Sequence, residues 1–368
     1  MKKIIFFIPN LKHGGAEKVL VNLVNNLDKS KYEVTLFSIF DEGMNKEFLN
    51  KEVIYKYKFK KIFRANTYFF NLFSPAFLYR WFIKEHYDVA ISYLEGPTTR
   101  IVSGCNNPHT KKLAWVHIEL NEKHKYIGFR NIKEARENYA KFNYIIGVSK
   151  KVIENFKNLV SENLPLKVLY NTNETELIKK LGKEPLETHF DDSYINIISV
   201  AKVTRTKGFD RLIEVHKKLT DEGHKLKIYI LGIGEDMSLL KKRVKELNIS
   251  DTFLFLGFDK NPYKYISKAD LYVCSSRREG FSTAVTEALV LGIPVVSTNV
   301  SGADELLGEH NEYGIVTVNS KEGLYKGLKE MLSNPENILY YKKQAELRGQ
   351  FFSKENTVKA VEDLLDTL

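Results

Sequence analysis

An α/β architecture built from two doubly wound parallel sheets is what this sequence predicts, and three observations predict it. Apolar runs of strand length alternate with stretches of helical periodicity from end to end, the pattern of a parallel sheet covered by helices on both faces. The series breaks off in a polar, charged stretch and then restarts. At 368 residues the chain is long enough for two domains of ordinary size, each with its own core.

Taken in order, the first series opens with an apolar run over 3–8, a Gly-containing loop and a helix over 17–27. Strand-like segments follow at 32–37, 89–93, 112–117, 144–148 and 167–170. Residues 173–193 read as a linker. The second series comprises 194–200, 227–232, 252–257, 271–274 and 294–297. The sequence is thus divided into a domain over 1–172, a domain over 194–350 and a closing segment, 351–368. The helices from about Asn334 onward are amphipathic.

Composition narrows the function classes. Hydrophobic residues at 43% and charged residues at 28% describe a globular chain, not a disordered one. Cys105 and Cys274 are the only cysteines, so neither a disulfide framework nor a zinc site is indicated, and a reducing cytoplasm fits. The apolar run Ile4 to Pro9 is too short for a signal peptide and reads as a buried strand. The formal net charge of +10 raises nucleic acid as a partner. No helix-turn-helix, zinc-ligand or RRM-type pattern accompanies it and the charges are spread, so nucleic acid is not expected. A basic enzyme acting on anionic substrates at an anionic membrane accounts for the same balance. Residues 55–64 and 68–73 interleave cations with aromatics. Part of that stripe must be core; the excess reads as a membrane-surface patch. Pro75, Arg80 and Lys84 interrupt the next apolar stretch, so it is no membrane-spanning helix.

The chemistry-bearing stretch is Arg278-Glu279-Gly280-Phe281-Ser282-Thr283-Ala284-Val285-Thr286-Glu287-Ala288-Leu289, which follows a strand and runs into a helix. Amides at that helix start, from Thr283 to Val285, suit an anion such as a diphosphate. A carboxylate a turn or two further in, Glu287, suits sugar or ribose hydroxyls. Upstream, Ser199 to Phe209 passes from strand through a loop with three cations, Lys202, Arg205 and Lys207, into a helix. Gly232-Ile233-Gly234-Glu235 and Leu256-Gly257 end two further strands. Near the N-terminus, His13-Gly14-Gly15-Ala16-Glu17 joins strand one to helix one, where paired glycines admit close backbone approach. Glu95 follows a strand and His117 ends one.

Taken together, these stretches resemble the E-x7-E signature of retaining glycosyltransferases of the GT-B fold, the group 1 or family 4 set. The resemblance implies two facing Rossmann-like domains with a cleft between them, the last helix crossing back to the first domain. It also implies transfer of a sugar from a nucleoside-diphosphate donor, UDP rather than GDP, to a hydroxyl of a glycan or lipid-linked oligosaccharide. Bacterial surface polysaccharide assembly, in the cytoplasm at the inner face of the membrane, is the setting it suggests.

By position in the motifs, Glu279 would take donor-sugar hydroxyls and Glu287 the ribose hydroxyls. Lys202 and Lys207 would hold the departing diphosphate, with Arg205 sharing that role, and His117 would shape the sugar subsite. Gly14, Gly15, Gly232, Gly234, Leu256, Gly257, Gly280, Phe281, Ser282, Thr283 and Ala284 would line the donor. His13 and Glu95 would face the acceptor. Two departures stand out: Lys202 replaces the usual arginine, losing its bidentate fork, and Tyr170-Asn171-Thr172 replaces Y-N-G. No D-x-D pair occurs, so neither a metal nor another cofactor is expected. Two rivals remain: a nucleotide-sugar epimerase or phosphorylase on a similar fold, and a non-catalytic assembly partner.

Overall fold

The computed structural model describes residues 1–12, 14–120, 128–160, 163–186 and 190–368. Met1–Asn173 together with Lys354–Leu368 form one compact unit, and Glu174–Ser353 form the other.

In the first unit the strands are β1 (Lys2–Ile8), β2 (Tyr32–Phe40), β3 (Ile54–Phe59), β4 (Val89–Ser92), β5 (Lys111–Val116), β6 (Tyr144–Gly147) and β7 (Leu166–Val168). They pair in parallel in the order β3-β2-β1-β4-β5-β6-β7. β1 is central, with Ile4 opposite Val34 on one side and Val89 on the other. That position explains its unbroken apolar run: Ile4 through Ile8 face helices on both sides and none is more than 1% exposed. The helices described in this unit before Asn173 are α1 (Gly15–Asn26), α2 (Asn66–Asn71), α3 (Pro75–Phe82), α4 (Pro97–Ser103), α5 (Ile132–Tyr139) and α6 (Lys150–Leu159).

The second unit begins with α7 (Thr175–Gly182) and continues through β8 (Ile195–Val200), α8 (Phe209–Asp221), β9 (Leu226–Leu231), α9 (Met237–Glu246), β10 (Phe253–Gly257), α10 (Tyr263–Ile266) and β11 (Leu271–Cys274). Then come α11 (Thr283–Val290), β12 (Val295–Thr298), α12 (Ala303–Leu307), β13 (Ile315–Thr317), α13 (Lys321–Leu332) and α14 (Pro335–Phe351). Its parallel sheet has the order β10-β9-β8-β11-β12-β13. Ile197, Ile228, Ile230, Leu271, Val273 and Val296 form the sheet side of its core, against Phe209, Leu212, Ile213 and Leu219 of α8.

The polar stretch expected to be a linker instead carries α7, which belongs to the second unit. Ile178 is buried and Gly182 lies against Leu291. Its apolar positions are few enough to vanish in the charged composition around them. Beyond α14, α15 (Lys354–Asp366) packs with the first unit. There the Glu362 carboxylate accepts from the Asp28 amide at 2.7 Å, and Asp366 accepts from the Tyr32 hydroxyl.

In each sheet the strand order reverses once, between β1 and β4 and between β8 and β11. Crevices beyond the carboxyl ends of strands at such reversals are where doubly wound sheets bind ligands.

Candidate active site

At the reversal in the second unit, β8 ends in a loop that is tied to its neighbours by backbone hydrogen bonds and by the buried Val203 side chain. The amide of Val203 donates to Ile233 O at 3.0 Å, and the amide of Gly232 donates to Gly257 O at 2.6 Å. A Cβ on Gly232 would stand 1.9 Å from Ala201 O, and one on Gly234 would stand 2.1 Å from Val203 O. Both glycines therefore let the β9 loop close onto the β8 loop. At β10 the register shifts between Phe255 and Gly257, leaving Leu256 in a bulge. Bulges of this kind re-aim side chains near active sites. Gly257 takes φ +81° with open space where a side chain would go.

Lys202 and Arg205 are exposed, and neither side chain has a hydrogen bond or ion pair to a described residue. Lys207 differs. Gly208 behind it adopts φ +70°, and a Cβ there would meet Ser275 O at 2.1 Å, so the chain passes directly over the end of β11. That passage brings Lys207 Nζ within 2.7 Å of Glu279 Oε1. The same carboxylate oxygen accepts from Ser276 Oγ at 2.6 Å.

Two arginines pin these loops together. The buried Arg211 of α8 donates to Ser275 O and Ser276 O, with Nη2 distances of 2.6 and 2.7 Å. Arg277 grips both Asp210 carboxylate oxygens, each at 2.7 Å, and donates to Arg205 O at 2.8 Å. A bidentate pair of this kind is directional and resists rotation. Burial, with Glu279 nearby, pushes the Cys274 thiol up, which keeps it protonated and unreactive.

α11 starts at Thr283, capped by Ser282, whose Oγ accepts from the Val285 amide at 3.4 Å. The expectation of three available amides is therefore reduced: Ser282 occupies that of Val285, and those of Thr283 and Ala284 lead the helix. Phe281 is 6% exposed and meets the Phe352 ring edge-on at 5.7 Å. Its ring is core, because the helix start must be buried on one side; Arg278 is exposed, and Glu279, Gly280, Thr283 and Ala284 are partly exposed. Glu287, in the second turn, is buried and accepts from the Tyr263 hydroxyl at 3.1 Å.

In the first unit, His117 follows β5 directly and is 8% exposed. Burial depresses its pKa to about 3, so the ring is neutral. The ring packs on Tyr93 at 4.8 Å, and its buried Nε2 has no partner among the described residues. Glu95, after β4, uses one oxygen to accept from the amides of His117 and Ile118 at 2.7 and 2.9 Å. Expected as an acceptor contact, Glu95 is thus also the clamp that shapes the β5 loop. Burial raises its carboxyl above the ordinary range. Gly14 and Gly15 open α1 and are exposed, with the Glu17 carboxylate folded across Gly14. His13 lies outside the described residues.

Sequence reasoning missed Tyr263, Arg211, Arg277 and Ser276. Tyr263 lies in Asn261-Pro262-Tyr263, and the Asn261 side chain fixes its amide at 3.1 Å. An Asn-Pro turn after β10 is a visible signal, but its pairing with Glu287 is not. Arg211 looks like an ordinary polar position of α8; only its burial at 7% exposure shows otherwise.

Comparison with known proteins bears on both units. Residues 13–177 match the family model Glycosyltransferase Family 4, and residues 183–348 match Glycosyl transferases group 1. An N-acetylgalactosamine-N,N'-diacetylbacillosaminyl-diphospho-undecaprenol 4-alpha-N-acetylgalactosaminyltransferase of Campylobacter jejuni is 30% identical over the whole of both chains. An uncharacterized glycosyltransferase of Haemophilus influenzae is 28% identical, covering 99% of this chain and 100% of that one. Among solved structures, Anabaena HepE in complex with UDP and glucose superposes over the full length of both chains, with TM-score 0.80 at 18% identity. The lipopolysaccharide outer core galactosyltransferase WaaB does so with TM-score 0.76 at 17% identity. These last two share the GT-B fold, two parallel-sheet units with helices. Matched unit by unit to its two family models and end to end to a bacterial relative, this chain belongs to the group 1, family 4 glycosyltransferases.

Proposed function

We propose that the enzyme is a retaining glycosyltransferase that moves a sugar from a UDP-sugar to a hydroxyl of a lipid-linked glycan in bacterial surface polysaccharide assembly. One observation carries the reading: the second unit gathers Lys202, Arg205, Lys207 and Glu279 at the strand-order reversal between β8 and β11. Cations and a carboxylate on adjoining loops match a departing diphosphate beside a hydroxyl-rich sugar. The Campylobacter relative, whose name carries a diphospho-undecaprenol glycan acceptor, and HepE, crystallised with UDP and glucose, favour the same substrate classes.

In this reading Lys202 and Arg205 meet the diphosphate as exposed charges, and the leading amides of α11 face it with the positive end of the helix dipole. As the bond from the sugar to the diphosphate breaks, negative charge grows on the leaving oxygen, and Lys207 is the cation nearest the sugar-binding carboxylate to stabilise it. Glu279 accepts from sugar hydroxyls, and Glu287, held by Tyr263, accepts from the ribose. His117, neutral at working pH, offers Nε2 to a sugar or acceptor hydroxyl. Attack occurs on the face from which the diphosphate leaves, and no protein nucleophile is assigned. The charge of the leaving group is met by side chains and amides without a metal.

The test is a thermal-shift and nucleotide-release screen against UDP, GDP and their sugars, with EDTA present. Stabilisation by UDP, with slow UDP release from one UDP-sugar, is the expected result. Stabilisation by neither nucleotide would remove the donor-site assignment.

A further inference from the structure

The aromatic and basic stripe carries in the structure a run of mostly half-buried, mutually packed rings and an exposed tip. Phe63, Phe69, Phe73, Phe77 and Trp81 form a chain of ring contacts, with Phe63–Phe69 at 5.5 Å, Phe69–Phe73 at 5.2 Å and Phe73–Phe77 stacked at 5.2 Å. Outward from that chain, Tyr68 is 78% exposed, Leu72 74% and Phe77 43%. Tyr68 and Leu72 stand four residues apart across α2, on the same helix side, and Phe77 follows on the first turn of α3.

The tip is held rigidly. Arg100, fully buried, donates to Phe73 O at 2.7 Å and pairs with Glu134 at 2.6 Å. Arg130 donates to Asn71 O at 2.8 Å, and its amide donates to the other Glu134 oxygen at 2.7 Å. Two arginines sharing one carboxylate therefore hold the α2–α3 connection from beneath, so the exposure of Leu72 does not come from a loose loop. Flanking it in sequence, Lys60, Lys61, Arg64, Arg80 and Lys84 are all exposed, and Glu52 is the sole carboxylate between residues 51 and 84; from outside that stretch, Glu42 accepts from the Ile62 amide at 2.5 Å.

We infer that the α2–α3 tip docks on an anionic lipid bilayer. The argument is the pairing of features: exposed apolar and aromatic side chains on a well-anchored turn, within a stretch of sequence whose exposed cations far outnumber its carboxylates. An apolar tip enters the boundary between headgroups and acyl chains while flanking lysines and arginines meet anionic headgroups. A protein partner would need a shape to fit; a bilayer needs only this apolar tip with its flanking cations. Among the described residues no helix is long and apolar enough to cross a membrane, so this contact is peripheral. The inference rests on the lipid-linked acceptor proposed above and gives that acceptor a place to be met.

The experiment is co-sedimentation of the full chain with vesicles of phosphatidylcholine alone and of phosphatidylcholine with phosphatidylglycerol, at low and high salt. Three proteins are compared: wild type, Y68S/L72S/F77S and K60E/K61E/R64E. Wild type should partition onto the anionic vesicles at least tenfold more than onto the neutral ones, with a loss in high salt. Each variant should lose at least fivefold of that binding while its thermal midpoint and UDP stabilisation stay those of wild type. Absence of wild-type binding to anionic vesicles, or binding that both variants retain, would overturn the inference. So would concentration-dependent dimerisation of wild type that Y68S/L72S/F77S abolishes, since the tip would then be a contact between copies. UDP stabilisation is read on the same samples, so loss of the donor assignment and loss of the membrane assignment are separate outcomes.

Discussion

Lys207 Nζ lies 2.7 Å from Glu279 Oε1, although the two residues are 72 positions apart, so the cation assigned to the leaving diphosphate and the carboxylate assigned to the sugar are each other's partner. A bound diphosphate would compete with Glu279 for that cation. Glu279→Gln removes the competition and the acceptor charge together. Transfer should fall by about 100-fold or more, while the UDP dissociation constant stays within about threefold of wild type or tightens. Steady-state kinetics and calorimetry on the same preparation check it; normal transfer by the variant would remove Glu279 from its role.

Lys202 and Arg205 carry exposed charge without a side-chain partner among the described residues, so their loss should cost binding and not stability. Arg205→Ala and Lys202→Ala are each expected to weaken UDP by about tenfold, the scale of one charge-assisted contact. Thermal midpoints without nucleotide should stay within about 1 °C. Lys202→Arg should match or exceed wild-type affinity, because its planar fork engages a phosphate bidentately. UMP, lacking the second phosphate, should respond less than UDP to both alanine variants.

In the proposed reading Tyr263 acts through Glu287, as a positioning residue. Tyr263→Phe removes the 3.1 Å hydrogen bond to the buried carboxylate. UDP affinity should drop by roughly three- to tenfold, and the preference for UDP over 2′-deoxy-UDP should narrow, since the ribose contact proposed for Glu287 is what would loosen. An unchanged preference alongside lower stability would mean that the bond only supports packing.

Gly234 has no room for a side chain beside Val203 O. Gly234→Ala should destabilise the second unit by about 1–3 kcal/mol, the usual range for overpacking, seen as a lower urea midpoint. UDP binding should weaken with it, because the displaced β8 loop carries Lys202 and Arg205.

His216 is buried in the second unit, and burial depresses its pKa from 6.5 to about 4. Below pH 6.5 the unfolded chain takes up a proton that the native fold refuses, so stability is lost as the pH falls toward about 4. The slope from this group is at most about 1.4 kcal/mol per pH unit, and above pH 6.5 it contributes none. His216→Gln should lose less stability than wild type between pH 7.5 and 5 in urea titrations.

Much of the architecture is legible in the sequence because central parallel strands are buried on both faces and must read as apolar runs, as β1 and β8 do. The edges are harder. β3 alternates Tyr55, Tyr57 and Phe59 with Lys56 and Lys58, which reads as a mixed surface stripe, yet it is an edge strand whose lysines discourage further pairing. β13 is only three residues long and leaves no pattern. The loops bearing Lys207 and Glu279 are legible from their motifs, but the ion pair between them depends on how closely Gly208 passes Ser275. Tyr263 and Arg211 are silent for the same reason: burial at a distance of tens of residues is decided by tertiary packing, not by neighbours in sequence.

The return of α15 to the first unit has a consequence for how the protein is made. Glu174–Ser353 is, topologically, an insertion within the first unit. A ribosome completes the second unit before it releases the residues that finish the first, so the unit that begins synthesis ends its folding last. Until then Tyr32 lacks Asp366, the Asp28 amide lacks Glu362, and the apolar surface that Val361, Leu364 and Leu365 cover stands open. During that interval, nascent chains shortened anywhere after residue 353 should engage chaperones through the first unit, while the second unit is already native.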